Sequence, residues 1–510
     1  MRYLLMMTVL LVAAPPGTGA QEPRLGSLDF PTSASGEAQS LFTKGVLYLH
    51  SFEYASAAEA FRAAQTIDPE FAMAYWGEAL TYNHPLWNER DRDRALEALG
   101  RLGSTPTERR AKAATEREGM FLDAVEALWT EGPKAKRDTA YSEAMGDLAR
   151  AFPDDGEARA FYALSLMGLS QGVRVVPTYM RAGAISLEIL REHPNHPGAA
   201  HYVIHAFDDP THAPIALPAA RAYSRIAPDA AHAQHMTTHI FTAMGMWDEV
   251  VSQNILAADL TWWGPGHYTS WLTYGLVQQG RFADAERYLA DAQVKLAGVT
   301  RAGPRSYMAT MRAQHVVNTG RWDDPSLEWD LDLDGVWPMA RAIDSFVHGY
   351  AALERGDRDR AIAAHAALRD MPVNEQDIGK REVLVRELEA LLMLDAGRAD
   401  DAVEQLRSAA ALEASLPAEF GPPDIVKPSF ELLGEVLLEL GRPAEARSAY
   451  EQALALAPRR ALSLMGLVQA AAAVGDGKAA GRARAALREI WHAADPGRIH
   501  IGDGTSPGLE

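Results

Sequence analysis

The chain has 510 residues, a formal charge of −19 and no cysteine. That length exceeds one compact core and calls for several domains or one extended repeat array. The acidic balance, with no Lys/Arg run to offset it, argues against a nucleic-acid partner. The missing cysteine excludes disulfides, thiolate metal sites, a thiol nucleophile and a lipoprotein anchor.

Residues 1–20 read as a secretory signal peptide. Arg2 precedes an apolar stretch from Tyr3 to Ala14, which is too short for a membrane span, and Thr18-Gly19-Ala20 offers the cleavage site. The expected location is periplasmic or secreted, with a mature chain that has no membrane span and is stable by packing alone. A linker over 21–35 follows.

From residue 36 onward apolar residues recur at helical spacing and β-branched runs are few. Two segments share one set of offsets. Gly45, Tyr48, Ala57, Phe61, Ala64 and Pro69 match Gly434, Leu437, Ala446, Tyr450, Ala453 and Pro458. A small residue, an aromatic sixteen positions later and a closing Pro describe two short helices that cross closely. This pattern resembles the tetratricopeptide repeat. The resemblance implies an all-α superhelical solenoid of antiparallel helix pairs. Looser copies follow Gly280, Gly356 and Gly397. The expected organisation is an N-terminal array over 36–324, an insertion at 325–340, a C-terminal array over 341–494 and a flexible tail over 495–510. A second insertion falls at 83–96.

Nine of the sixteen histidines lie between His193 and His267. Pro194 and Pro228 close successive units and are 34 residues apart, so one unit starts at Pro197. The next starts at Ala231 and the third at Gly266. His201 and His205 are then the fifth and ninth residues of the first unit, and His235 and His239 hold the same places in the second. His232 and His267 are second residues. Steps of three and four advance a helix by about 300° and 400°, so these positions share one stripe. In the repeat family that stripe lines the concave groove, which predicts that the six histidines meet there.

Neutral imidazole ligates zinc, copper, iron and nickel, and an i, i+4 pair lets one helix supply two ligands. The predicted metal ligands are His201, His205, His235 and His239. His232, His267, Asp208 and Asp209 are candidates for further ligands or for partners that orient an imidazole. The alternative is that the histidines bond each other, the backbone and a bound peptide. His84, Trp76, Tyr274, Glu431 and Glu435 are predicted groove residues, Glu431 and Glu435 being read more readily as solvated helix charges. Trp271 is read as core. Tyr274 or Asp209 is the candidate for proton transfer.

Two other motifs carry no chemistry. Gly168-Leu169-Ser170-Gln171-Gly172 matches a nucleophile elbow but sits at a helix end with no strand before it. Asp330 to Gly335 opens like a calcium loop, yet Arg341 stands where a bidentate Glu is required. The blocks NHPLW (83–87), HPGAAHYVIHAFDD (196–209), APDAAHAQHMTTHIF (227–241) and KPSFELLGEVLLELGRPAEA (427–446) resemble a group of exported bacterial tetratricopeptide-repeat proteins. That resemblance implies fold and export and leaves chemistry unassigned.

Three functions fit the residues. One is an exported scaffold holding a protein, peptide or small molecule in its groove. The second is a metal-dependent hydrolase or oxidoreductase using the histidine cluster. The third is a store or carrier of copper or zinc, which the absence of cysteine and of Met-rich motifs disfavours for cuprous ion. Whether the chain is an enzyme stays open at this level.

Overall fold

A computed structural model describes residues 22–87, 89–170 and 174–496. The predicted signal peptide, Gln171 and Gly172 of the serine motif and most of the predicted tail lie outside the described residues. Among the described residues the chain forms 24 α-helices and two 3-10 turns. One two-stranded ribbon, Asn83–His84 against Glu89–Arg90, interrupts them at the 83–96 insertion. No described helix is long and apolar enough to cross a membrane.

Antiparallel pairs follow one another, among them Gly36–His50 with Tyr54–Ile67 and Ser429–Glu439 with Pro443–Leu456. The sixteen-residue offset has a steric cause. A Cβ on Gly45 would lie 2.7 Å from the Phe61 ring, and one on Gly77, in the next unit, 2.3 Å away. The aromatic of each pair is wedged between the glycines of two successive units. Tyr450 sits in the same way between Gly434 and Gly466. A fully buried Phe contributes about 1.5–3 kcal/mol, so each of these two wedges is a large share of what joins its neighbours.

The insertion after Thr319 runs through the 3-10 turn Pro325–Glu328 to the helix Pro338–Glu354. Buried Arg312 holds it by donating to the Ser326 and Trp329 carbonyls, at 3.0 and 3.2 Å, and pairing with Asp344. The Asp330–Gly335 stretch is a turn pinned by Arg305 on Asp332.

The solenoid folds back on itself. Trp247 donates to the Arg459 carbonyl at 3.0 Å, and the Gln278 side chain accepts from the Ala461 amide at 3.0 Å. Trp491 donates to the Gln278 carbonyl at 2.9 Å. Leu464, Leu487 and Trp491 of the last repeats therefore share one core with Val203, Met236 and Leu272 of the histidine-bearing units. Asp495, placed in the tail by the sequence, is docked: its amide donates to the Gly280 carbonyl at 3.1 Å.

Candidate metal centre

Three parallel helices carry the histidines: Pro197–Ala206, Ala231–Ala243 and His267–Gln278. The first begins with Pro197 at its first turn and with His196 as its cap, whose Nδ1 accepts from the Ala199 amide at 3.0 Å. Gly198 lets the end of the Gly36–His50 helix approach closely, since a Cβ there would sit 2.2 Å from His50 Nδ1.

The six histidines meet, but in a grouping that differs from the expected set of four. They form two triads, His201/His205/His232 and His235/His239/His267. In each, one ligand nitrogen per residue lies within 4.8 Å of the other two. The cause is the pitch of the repeat. The fifth residue of one unit faces the second residue of the next, with ring centroids 5.0 Å apart for His201–His232 and 4.3 Å for His235–His267. His232 and His267 therefore complete the triads instead of flanking them.

Five of the six histidines are enclosed rather than open to a groove, and His267 is half-buried. His201 and His235 are fully buried, and His205, His232 and His239 are each 6% exposed. Phe52 covers the first triad, with ring centroids 4.3 Å from His201 and 5.6 Å from His232. Trp271 covers the second, 4.7 Å from His235 and 4.4 Å from His239. Phe420, on the long connection between the helices Ala399–Ser415 and Ser429–Glu439, closes over His239 at 6.2 Å.

The outward ring nitrogens are engaged in a consistent way. His201 Nδ1 donates to the His50 carbonyl at 2.7 Å. His239 Nδ1 donates to the Asp208 carboxylate at 2.5 Å. Asn254 donates its Nδ2 to the Val250 carbonyl, which turns its Oδ1 to His235 Nδ1 at 2.8 Å. His267 Nδ1 pairs with the Tyr307 hydroxyl at 3.1 Å. These partners put the proton of His201, His235 and His239 on Nδ1 and leave Nε2 as a lone pair.

The Nε2 atoms of the two triads point inward. Nε2 of His201, His205 and His232 is buried with no hydrogen-bond partner. Nε2 of His235 faces Nε2 of His239 at 3.2 Å. With both Nδ1 atoms protonated, two lone pairs at that distance repel, and a shared cation would relieve the repulsion. Burial pushes His201 and His267 down to about 3. Burial, reinforced by the neighbouring imidazoles, holds His205, His232 and His235 well below the usual range. These five rings are neutral at pH 7 and available as donors.

A third group, His50/Glu157/His196, was not found from sequence. Glu157 bridges His50 Nε2 at 2.7 Å and His196 Nε2 at 3.0 Å, while His50 Nδ1 meets the Tyr202 hydroxyl at 2.9 Å. Burial raises the Glu157 carboxyl, but the two imidazoles outweigh it and hold it well below the usual carboxylate range. Every ring nitrogen here is satisfied, so this group is a hydrogen-bonded brace that positions His50 and, through its carbonyl, His201. Glu157 is the second residue of the helix Gly156–Gly168. It thus shares the helix position of His232, a signal that was available in the sequence.

Several predicted residues sit elsewhere. Asp208 orients His239, but Asp209 pairs with Arg174 and His212 and accepts from the amides of Thr211 and His212. Its hydrogen bonds thus run to Arg174 and His212 rather than to the two triads. Trp76 is a fully buried core residue against Phe30 and Phe121. His84 stacks on Tyr54 at 3.9 Å, outside the cluster. The Tyr274 hydroxyl accepts from Arg460 at 3.1 Å rather than serving the histidines. Glu431 is neither solvated nor in a groove: it is buried on Arg460, at 2.8 and 3.0 Å, and on Ser463. Glu435 pairs with Lys427 at 2.5 Å. Packing between neighbouring C-terminal repeats, invisible in a helical wheel, buries Glu431, while Glu435 stays partly exposed and is held by its ion pair. Trp271 is core, as expected, and also the wall of the second triad.

A cavity of about 520 Å³ opens beside the second triad, bounded by His239, Asp208, Thr242, Tyr274, Glu413 and Phe430. Burial pushes the Glu413 carboxyl up to about 7.

Models of the tetratricopeptide repeat match residues 38–71 and 429–460, the same two stretches that share the glycine–aromatic wedge. No curated protein sequence matches the chain. Among solved structures it is similar to yeast Tom70, at 12% identity over 90% of this chain and 91% of that one, with a TM-score of 0.32. It is also similar to a human IFIT1 dimer with m7Gppp-AAAA, at 13% identity, 91% and 92% coverage and a TM-score of 0.37. The P58(IPK) TPR domain aligns at 12% identity, 87% and 99% coverage and a TM-score of 0.23.

Proposed function

We propose that this chain, a tetratricopeptide-repeat protein, is an interaction scaffold whose histidine cluster holds a transition metal: zinc, copper, iron or nickel. The observation that carries the reading is the set of buried, unpartnered Nε2 atoms on His201, His205 and His232. A buried polar atom without a partner costs about 1–3 kcal/mol, and three in one pocket call for a shared ligand. Imidazole–metal bonds of about 2.0–2.1 Å need the nitrogens roughly 3.3–3.6 Å apart, a small contraction from the present spread. Elemental analysis of untagged protein tests it. Metal is expected in the parent and reduced in His235→Ala/His239→Ala. No metal in the parent, with no thermal shift on adding zinc, copper, iron, manganese or nickel, overturns it.

A metal-dependent enzyme, hydrolase or oxidoreductase, is the second reading. The cavity beside His239 favours it, because its volume falls in the range of small-molecule sites, about 300–1,000 Å³. Glu413 on its wall, near pKa 7, has the proton affinity of a general acid or base. In either reading the cavity is where a small molecule or a peptide side chain meets the scaffold. Export to the periplasm or medium belongs to the same proposal, supported by Arg2, the apolar 3–14 stretch and Ala20. Sequencing the N-terminus of protein recovered from a secreting host checks it: a start at Gln21 is expected, and a retained Met1 contradicts it.

A further inference from the structure

The two triads are one motif written twice. His201, His205 and His232 recur one unit later as His235, His239 and His267. Ring centroids across the triads are 5.8 Å apart for His205–His239 and 6.1 Å for His232–His235. Within the triads they span 4.3 Å, for His235–His267, to 6.4 Å, for His239–His267. The triads are therefore as close to each other as their own members are. One ion in each would lie within the span of a single small bridging ligand.

Charge selects the metal. The donors are six imidazoles, with no carboxylate in either triad. The nearest carboxylates are engaged, Asp208 by His239 Nδ1 and Glu53 by the His232 amide at 3.0 Å. Two dications would bring four positive charges into a buried pocket without a ligating carboxylate, at heavy desolvation cost. Two monocations bring half of that. Of the metals imidazole favours, copper has a stable monovalent state, and imidazole, a borderline ligand, supports both Cu(I) and Cu(II). Thiolate or thioether ligands would hold Cu(I) alone.

We infer that the triads hold a copper pair that binds dioxygen between the two ions; this rests on the metal reading above. Each Cu(I) gives one electron, dioxygen accepts both, and the product stays as a bound peroxide dianion between two Cu(II). The site carries two positive charges before and after, so the step adds no net buried charge. The surroundings suit it. Phe52 covers His201 from a left-handed backbone conformation, φ 55°, in a turn where later units place Gly245, Gly280 and Gly441. That conformation costs a non-glycine residue about 1–2 kcal/mol, and the ring it presents keeps water from the first triad. The cavity beside His239 gives dioxygen a way in.

The test loads metal-free, untagged protein anaerobically with cuprous ion and then admits air. Two coppers per chain, one dioxygen consumed per pair, and an EPR signal accounting for only a small fraction of the copper are expected, since bridged Cu(II) ions couple. His239→Ala/His267→Ala should hold one copper per chain, take up no dioxygen and, after chemical oxidation, show its full EPR signal. His232→Gln, closer in size, repeats the comparison at the first triad, with circular dichroism checking the fold of both. One copper per chain in the parent, two coppers with full EPR intensity, or no dioxygen uptake overturns the pair. If one ion of any metal binds, only the pair falls; if none binds, the metal reading falls with it.

Discussion

Replacing Asp208 by Asn separates a ligand's own contribution from that of its support. The Asp208 carboxylate accepts the Nδ1 proton of His239 at 2.5 Å, with both groups buried. That bond fixes the ring's orientation, keeps Nε2 as the donor and makes it more basic. An Asn side chain loses the charge and can turn its amide to donate instead. Partners of this kind are worth 10–100-fold in metal affinity, about 1.4–2.7 kcal/mol. The loss should fall on the second triad alone, because Asp208 has no hydrogen bond to His201, His205 or His232. A competition titration against a chromophoric chelator measures it, with His201→Ala/His205→Ala as the background that isolates the second triad. A loss below about threefold, or an equal loss at both triads, would refute the assigned role.

Three further outcomes follow from the same geometry. The metal-free protein should be acid-labile: His201 and His267 sit at about 3 when folded, against an unfolded value of 6.5. Above pH 6.5 both states carry neutral rings; below it the unfolded chain takes up two protons that the folded chain refuses. Stability should therefore fall by about 2.7 kcal/mol per pH unit from about pH 6 towards 3; denaturant melts across that range check it, and a flat profile contradicts it. Glu431→Ala should cost about 3–5 kcal/mol, because it leaves Arg460 buried and unpaired; a lowered Tm is the readout, and an unchanged one would contradict the pairing. Gly421→Ala should displace the covering loop, since the added Cβ would stand 2.0 Å from Trp271. Faster metal removal by chelator is expected, with the bound amount unchanged; an unchanged removal rate would show that the loop does not cover the site.

The helix pairs and the histidine stripe were legible because both depend on local periodicity. The small residue and the aromatic sixteen positions later encode a contact between neighbouring helices, and the fifth and ninth positions encode one face. The division into two triads was not legible, because it depends on how far each unit is displaced along the solenoid. The second-residue places of His232 and His267 contained the clue, but only the stacking of the three helices turns it into a grouping. The braces were invisible for a stronger reason. His50 and Glu157 lie 151 and 44 residues before His201, and Phe420 lies 181 residues after His239. Only the superhelical winding of the chain brings them together. Stacking of neighbouring C-terminal units buries Glu431 on Arg460, and closure of the solenoid ties Tyr274 to the same repeats, so residues that read as groove contacts became part of the core.

The most direct measurement is anomalous diffraction at a metal edge, from crystals grown with the bound metal. The expected result is a peak about 2.0–2.1 Å from Nε2 of His201, His205 and His232, and a second at the same distance from the triad of His235, His239 and His267. Well-ordered imidazoles in the arrangement described, with no anomalous peak within bonding distance of any of the six, would contradict the account.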